Sequence, residues 1–156
     1  SEEPYFLDET LHAYLGQWGG DDNSISTALV QSGLKSLVDH LPRGANTSLH
    51  DHSLTSLKIR KRIGLAGIIA KQPSLIVLDE PTAGLDPQTA LIFYNFINRM
   101  IAEQRTLIIA SSDPVIIKGA GHYIVIDEQG RLKPGPKNTS SRPVKVASKA
   151  PKQEKP

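Results

Sequence analysis

The sequence contains no cysteine, which excludes disulfide bonds and metal sites built from thiolates. It also has no long apolar run: the longest, Gly64–Ala70 and Leu75–Leu78, fall far short of the ~18 residues that span a bilayer. No signal peptide is visible, and because Ser1 stands in place of Met, we expect the chain to begin inside a longer gene product. The lack of cysteine also fits a reducing compartment.

The positive charge of the chain is concentrated at its C-terminal end. Of the 18 basic and 16 acidic residues, seven basic and one acidic residue follow Leu132, which leaves 11 basic and 15 acidic residues in the body. The segment Lys133–Pro156 is rich in Lys, Pro and Ser, and we expect it to be a disordered tail that forms no core. The body carries no basic patch, so a nucleic-acid partner is not expected.

Helical periodicity dominates the sequence before residue 73. The predicted elements are a short helix at Thr10–Leu15, a helix at Ser24–Val38 capped by Ser24 and broken near Gly33, and a helix at Ser56–Lys71. Basic residues Arg60, Lys61 and Arg62 on the third helix are interpreted as a solvated helix face. This stretch is expected to form a layer separate from the sheet that follows.

Strands and helices alternate after residue 73. Continuous apolar runs predict a strand at Leu75–Leu78, buried on both faces, and strands at Thr106–Ala110 and Tyr123–Ile126. Asp86 is predicted to cap a helix that begins with Pro87, and a short helix is predicted at Val115–Lys118. The expected core stripe of the longer helix is Ile92, Phe96, Ile97, Met100 and Ile101. This order is typical of a parallel α/β sheet.

Two carboxylates, Asp79 and Glu80, end the first predicted strand. Charge at the end of a buried strand is costly unless it is paired or binds a metal, and ligands of open parallel sheets lie beyond the carboxyl ends of the strands. An Asp there can hold Mg²⁺, and the following Glu can orient a water for attack on a phosphoryl group. The alternative is that Asp79 caps a turn before Pro81 and that Glu80 is solvated.

The longer segment Leu75–Asp86, with the sequence LIVLDEPTAGLD, resembles the Walker B motif and D-loop of ABC ATPases. The resemblance implies that Asp79 coordinates Mg²⁺ and that Glu80 is the catalytic carboxylate. It also implies that Ala83–Asp86 is the D-loop, which contacts a partner domain across bound ATP, so Asp86 is counted with the cofactor-binding residues. The fold this implies is part of a P-loop NTPase parallel sheet with a helical subdomain.

Three further segments are similar to export-type ABC domains, a group that includes the type I secretion transporters. Glu2–Leu15 resembles the stretch that starts at the Q-loop, Leu41–Leu49 resembles the stretch before the signature motif, and Ile108–Leu132 resembles the switch strand and the terminal hairpin. The resemblance therefore covers nearly all of the chain before the predicted tail.

The chain departs from the family pattern at its phosphate-binding motifs. No G-x-x-x-x-G-K-[ST] loop occurs, so the chain alone is expected to show neither tight ATP binding nor ATPase activity. The LSGGQ signature falls on residues 55–59, where Ser56 is the one residue kept. In the family this Ser and the following glycines bind the γ-phosphate at a helix N-terminus; here Leu57 and Lys58 replace the glycines. Ser56 is either such a ligand or a plain N-cap.

Two single positions also differ from the family pattern. The histidine that usually follows the next strand is replaced by Ser112, which is shorter and carries no positive charge. Glu2 stands at the expected Gln of the Q-loop, where a carboxylate could still contact Mg²⁺. Glu80 is thus kept while the groups that sense phosphate have changed.

The resemblance implies an ABC-type ATPase domain at residues 1–132, which couples ATP hydrolysis with Mg²⁺ to transport, in the export direction, across a membrane. Its helical subdomain is expected at about 10–72, its Walker B to terminal strands at 73–132, and its tail at 133–156. The expected partners are a second ABC ATPase domain and a transmembrane domain, with the complex at the cytoplasmic face of a cell membrane. The alternatives are a degenerate, non-catalytic ABC domain with a structural or regulatory role, and a soluble ABC-type ATPase of DNA repair or translation.

Overall fold

A computed structural model describes residues 9–17 and 21–135 of the chain. They belong to two compact units, which meet in sequence between Ser111 and Ser112. Glu2 lies outside the described residues, and so does the predicted tail from residue 136 onward.

The first unit begins with helices. These are α1 (Leu11–Gly16), α2 (Asp22–Gln31), α3 (Lys35–His40) and α4 (Leu57–Lys71), with two short 3₁₀ turns at Gly44–Asn46 and His52–Leu54 between α3 and α4. The predicted helices are therefore confirmed, with bounds shifted by one or two residues. Their buried side chains, among them Leu11, Leu15, Leu34, Leu54 and Ile63, have at most 1% of their surface exposed and form the core of this helical part.

The start of α2 differs from the prediction. Asp21 is the N-cap, and its carboxylate accepts hydrogen bonds from the Ser24 backbone N–H at 2.8 Å and the Ser24 hydroxyl at 2.6 Å. A carboxylate satisfies the free N–H groups of the first turn as well as a hydroxyl does, and Asp21 stands one turn earlier. Gly33 does separate α2 from α3, as predicted, with a φ of +70° that favours glycine.

The second part of the first unit is a β–α–β unit. Strand β1 (Leu75–Asp79) and strand β2 (Thr106–Ala110) are parallel, in a register that pairs Leu75 with Thr106 and Asp79 with Ala110. Helix α5 (Pro87–Ala102) connects them. The carboxyl end of β1, with Asp79, therefore lies beside the carboxyl end of β2.

Burial on both faces of β1, which the apolar run predicted, is wrong for the residues that the structure describes. Ile76 and Leu78 point to a buried face and are 2% and 8% exposed, whereas Leu75 and Val77 on the other face are 51% and 65% exposed. Side chains alternate across a strand, so a continuous apolar run does not by itself show which faces are covered.

The core face of α5 was predicted only in part. Phe96 and Ile97 are buried as expected, but Ile101 is 45% exposed, and Ile92 and Met100 are half-buried. The rest of the buried face is formed by Thr89, Ala90, Phe93 and Tyr94. The buried face of α5 thus begins in its first turn, and the side chains become more exposed in its last turn.

The second unit contains helix α6 (Pro114–Gly119) and the strands β3 (Ile124–Ile126) and β4 (Leu132–Pro134). Strands β3 and β4 form an antiparallel hairpin in which Ile126 pairs with Leu132. The expected hairpin is confirmed, with Gly130 in its turn at a φ of +73°. The strand at 123–126, expected to follow the parallel order, pairs antiparallel with β4, and the five-residue connection between them suits such a neighbour. Among the described residues, none of the helices has the length and apolarity of a membrane span.

Candidate functional site

The predicted carboxylate pair lies where β1 ends. Asp79 is exposed and Glu80 is half-buried. The Glu80 backbone N–H donates to the Ala110 carbonyl at 2.9 Å, which continues the β1–β2 ladder by one step. Glu80 then turns the chain with a φ of +40°, in the left-handed region that non-glycine residues rarely adopt. The backbone thus leaves the sheet at Glu80.

Residues 80–86, here called the 80–86 turn, lead from the strand into α5. The Ala83 N–H donates to the Glu80 carbonyl and the Leu85 N–H to the Thr82 carbonyl, each at 3.2 Å. Gly84 has a φ of +73°. The turn therefore uses two left-handed residues, Glu80 and Gly84, within five positions.

Asp86 ends the turn as the N-cap of α5, as predicted. Its carboxylate accepts from the Thr89 backbone N–H at 3.0 Å and from the Thr89 hydroxyl at 2.8 Å. The backbone hydrogen bond from Thr89 is the main reason why the pKa of Asp86 is lowered, with a smaller contribution from the positive charge of Lys58. The described contacts of Asp86 are those of a cap, and its role at a partner domain stays a prediction.

Helix α4 contacts the 80–86 turn through a lysine. The Lys61 ammonium donates to the Glu80 carbonyl at 2.7 Å and to the Ala83 carbonyl at 2.8 Å. Burial lowers the pKa of Lys61, while the carboxylates of Glu80 and Asp79 act in the opposite direction. The net pKa of Lys61 lies below its usual value because the two carboxylates offset only part of the cost of burial.

The neighbouring Arg62 connects α4 to the break between α2 and α3. Its Nε donates to the Ser32 carbonyl at 2.9 Å, and burial lowers its pKa against the opposing effect of Asp86. Interpreting Arg60–Arg62 as a solvated face is therefore wrong for Lys61 and Arg62, since both side chains are half-buried and bind backbone oxygens. One feature of the sequence is consistent with the partial burial of Lys61. Lys61 lies four residues after Leu57 and so shares a helix face with an apolar side chain.

Residues 55–59, where the signature motif is expected, lie at the start of α4. Ser56 occupies the N-cap position and is exposed, but its side chain makes no capping hydrogen bond, so the structure gives no support to a plain N-cap role. Leu57 packs towards the 80–86 turn: a Cβ added to Gly84 would lie 3.1 Å from Leu57 Cδ2. Leu57, at an expected signature glycine position, thus packs beside Gly84 of the 80–86 turn.

The Asp79 carboxylate at the end of β1 is a suitable ligand for a magnesium ion, whereas the sequence has no phosphate-binding loop for ATP. Mg²⁺ is usually held by one or two carboxylates together with waters and substrate phosphates, and Asp79 offers an exposed carboxylate at the strand end. No glycine-rich phosphate loop occurs in the 156 residues. Asp79 can therefore supply one metal ligand.

The other two predicted site residues, Ser112 and Glu2, lie outside the described part of the unit that carries this turn. Ser112 is exposed, belongs to the second unit, and directly precedes Asp113, which caps α6 by accepting from the Val115 N–H at 2.8 Å. Glu2 lies outside the described residues. The roles of both remain predictions.

The fold defines the class of protein. Compared with solved structures, 85% of the chain superimposes on 24% of a bacterial Atm1-family ABC exporter with ATP bound, with a TM-score of 0.74 and 22% sequence identity. The small parallel sheet, the helices before it and the Asp79–Asp86 segment at the sheet end therefore correspond to part of an ABC ATPase fold.

The sequence relatives specify this class further, although no protein-family model matches the chain. An energy-coupling factor transporter ATP-binding protein, EcfA of Methanoculleus marisnigri, is 38% identical over 74 residues, which are 47% of this chain and 27% of that protein. An ATP-dependent lipid A-core flippase of Bordetella avium is 27% identical over 135 residues, which are 80% of this chain and 23% of the flippase. The homologues of this chain are ABC transporter ATP-binding proteins, as the motif at residues 75–86 predicted, and the chain spans about a quarter of the length of these relatives.

Proposed function

We propose that the chain supplies the metal carboxylate, the catalytic carboxylate and the D-loop of an ABC-type ATP-binding site, whose ATP hydrolysis drives export across a membrane. The observation that carries this proposal is the ordered end of β1. There Asp79 and Glu80 leave a parallel strand together, and the turn after them is held by hydrogen bonds to both β2 and α4. The flippase relative and the exporter-like fold favour the export direction.

Each residue has a distinct part in the proposed site. Asp79 holds Mg²⁺, which, when bound, neutralises charge that develops on the phosphates. Glu80, half-buried at the mouth of the strand, orients the attacking water and accepts its proton. Ser56, exposed at the N-terminal end of the 15-residue α4, donates to the γ-phosphate across the dimer.

The site needs partners that carry its missing parts. We propose a second ABC ATPase domain and a transmembrane domain, with the complex at the cytoplasmic face of a membrane. In this proposal Asp86 and the rest of the D-loop contact the second domain. Ser112 takes the switch role among the catalytic residues, Glu2 is a cofactor-binding residue, and the phosphate-binding loop comes from outside the 156 residues. Residues 10–72 form the helical subdomain of this domain, and residues 73–132 carry its Walker B and terminal strands.

A degenerate, non-catalytic domain is the second candidate. It is favoured by Leu57 and Lys58 at the two signature glycine positions, because a leucine there packs against Gly84 and adds bulk where the backbone would approach phosphate. In this case the chain keeps the fold and the dimer contacts but does not turn over ATP.

The substitution Glu80→Gln in the assembled transporter distinguishes the two candidates. It keeps the shape of the side chain and removes its charge, so a working site should lose about 10²–10⁴ in ATPase rate while nucleotide binding persists. The measurement is the ATPase rate and the ATP affinity of wild type and variant, with the partner domain held constant. The control is Glu128→Gln, an exposed carboxylate of the second unit. A rate change of less than about twofold would contradict a catalytic role of Glu80 and favour the degenerate domain.

A further inference from the structure

Lys61 joins helix α4 to the 80–86 turn of the same chain. The Lys61 ammonium has three hydrogen-bond donors, and two of them reach carbonyls three residues apart, those of Glu80 and Ala83, at 2.7 and 2.8 Å. Lys61 thus bridges the first half of the 80–86 turn from a helix 19 residues earlier in sequence.

Lys61 binds the carbonyl of a residue, Glu80, whose backbone conformation is unfavourable for a non-glycine residue. Glu80 has a φ of +40°, and a non-glycine residue in the left-handed region is retained when surrounding contacts determine its conformation. The Glu80 carbonyl accepts from both Lys61 and the Ala83 N–H, while its N–H is fixed to Ala110. Both peptide groups of Glu80 are therefore anchored, and they set the direction of its Cα–Cβ bond, from which the carboxylate extends.

A second contact on the same face of α4 supports the same part of the turn. Leu57, one turn before Lys61, lies beside Gly84, where an added Cβ would be 3.1 Å from Leu57 Cδ2. Lys61 thus binds the start of the 80–86 turn, and Leu57 packs against its middle. At the end of the turn, the charge of Lys58 helps to lower the pKa of Asp86, and the charge of Asp86 acts to raise the pKa of Arg62.

We propose that Lys61 is a positioning residue for Glu80, which holds the 80–86 turn by its two hydrogen bonds and so sets the direction of the catalytic carboxylate. The inference that this positioning serves ATP hydrolysis rests on the function proposed above. The contact itself does not, and it can be tested on the 156-residue chain.

The first test measures amide hydrogen exchange at Glu80, Ala83 and Leu85 in the wild-type chain and its variants. Lys61→Met keeps most of the aliphatic side chain and removes the donors, so exchange in the turn should become about tenfold faster, the factor expected when a hydrogen bond to a charged group is lost. Lys61→Arg restores donors at this place and should stay within about twofold of wild type. Lys71→Met removes an exposed ammonium from the other end of the same helix and should also stay within about twofold of wild type. Equal exchange in Lys61→Met and wild type overturns the proposal.

The second test measures steady-state ATPase activity in the assembled transporter. Lys61→Met should lower kcat about tenfold and leave KM for ATP within about twofold, since Lys61 acts through Glu80 and touches no phosphate, and Lys61→Arg should recover most of kcat. Unchanged kcat in Lys61→Met, beside an active wild type, overturns the catalytic consequence. A wild type without ATPase activity contradicts the proposed function instead, and the exchange measurement then decides on Lys61 alone.

Discussion

Alanine substitutions at Gly64 and Gly67, two glycines of α4, should change the stability of the protein in opposite directions. Gly64 and Gly67 are both helical, and a helix gains about 1 kcal/mol when an interior glycine becomes alanine. A Cβ on Gly64 would meet nothing within 4 Å, whereas a Cβ on Gly67 would lie 2.8 Å from Tyr14 Oη and 3.1 Å from two ring carbons of Tyr14. Gly67 therefore marks the place where α1 packs directly on α4.

The expected change in stability combines the helix preference for alanine over glycine with the fit of the added methyl group. Gly64→Ala should stabilise the first unit by about 0.5–1 kcal/mol. For Gly67→Ala the same gain is opposed by overpacking against the half-buried Tyr14 ring, about 1–3 kcal/mol, because a rigid ring withdraws less easily than the tip of a flexible chain. The net result is a loss of about 0–2.5 kcal/mol, and the two variants should differ by about 1–3 kcal/mol.

Urea unfolding of wild type and both variants measures these differences. A double-mutant cycle with Tyr14→Phe tests their cause, since it removes the hydroxyl nearest to the new methyl group and the cycle cancels the cost of losing the hydroxyl itself. A favourable coupling between Tyr14→Phe and Gly67→Ala is expected. If Gly67→Ala instead stabilises the protein as much as Gly64→Ala does, the Tyr14 ring does not press on α4 and the reasoning is refuted.

Two further predictions concern the β–α–β unit. Asp86→Ala should lower the melting temperature at pH 7 because the Thr89 hydrogen bonds are lost. The lowered pKa of Asp86 means that its contribution is fully present above the unfolded value of about 3.9 and is lost as the pH falls through the lower folded value, so wild type and variant should converge in acid. A difference that persists unchanged at pH 2 would contradict this. Ile76→Ala, on the buried face of β1, should cost about 2–5 kcal/mol in urea unfolding, and the neighbouring Val77→Ala, 65% exposed, less than about 1 kcal/mol. Equal costs at the two positions would show that the open face of β1 is covered in solution.

The order of elements and the identity of the motif could be read from the sequence. Periodicity and capping residues fixed the helices and the strands β1 and β2 to within a few residues, because these signals act between near neighbours. Asp79 and Glu80 were predicted at a strand end for the same reason. The chemical role assigned to each came from the resemblance of residues 75–86 to a known motif.

The contacts between distant segments had to come from the tertiary structure. Nothing local distinguishes Lys61 from Arg60 beside it, and only the packing of α4 against the 80–86 turn shows that Lys61 binds two carbonyls there. The covered face of β1, the cap at Asp21 and the antiparallel pairing of β3 were likewise settled by the three-dimensional arrangement. The sequence by itself determined which elements form and which carboxylates end the strand, since these follow from interactions within a few residues. The fold decided what each element faces, because burial and long-range hydrogen bonds depend on neighbours that are far away along the chain.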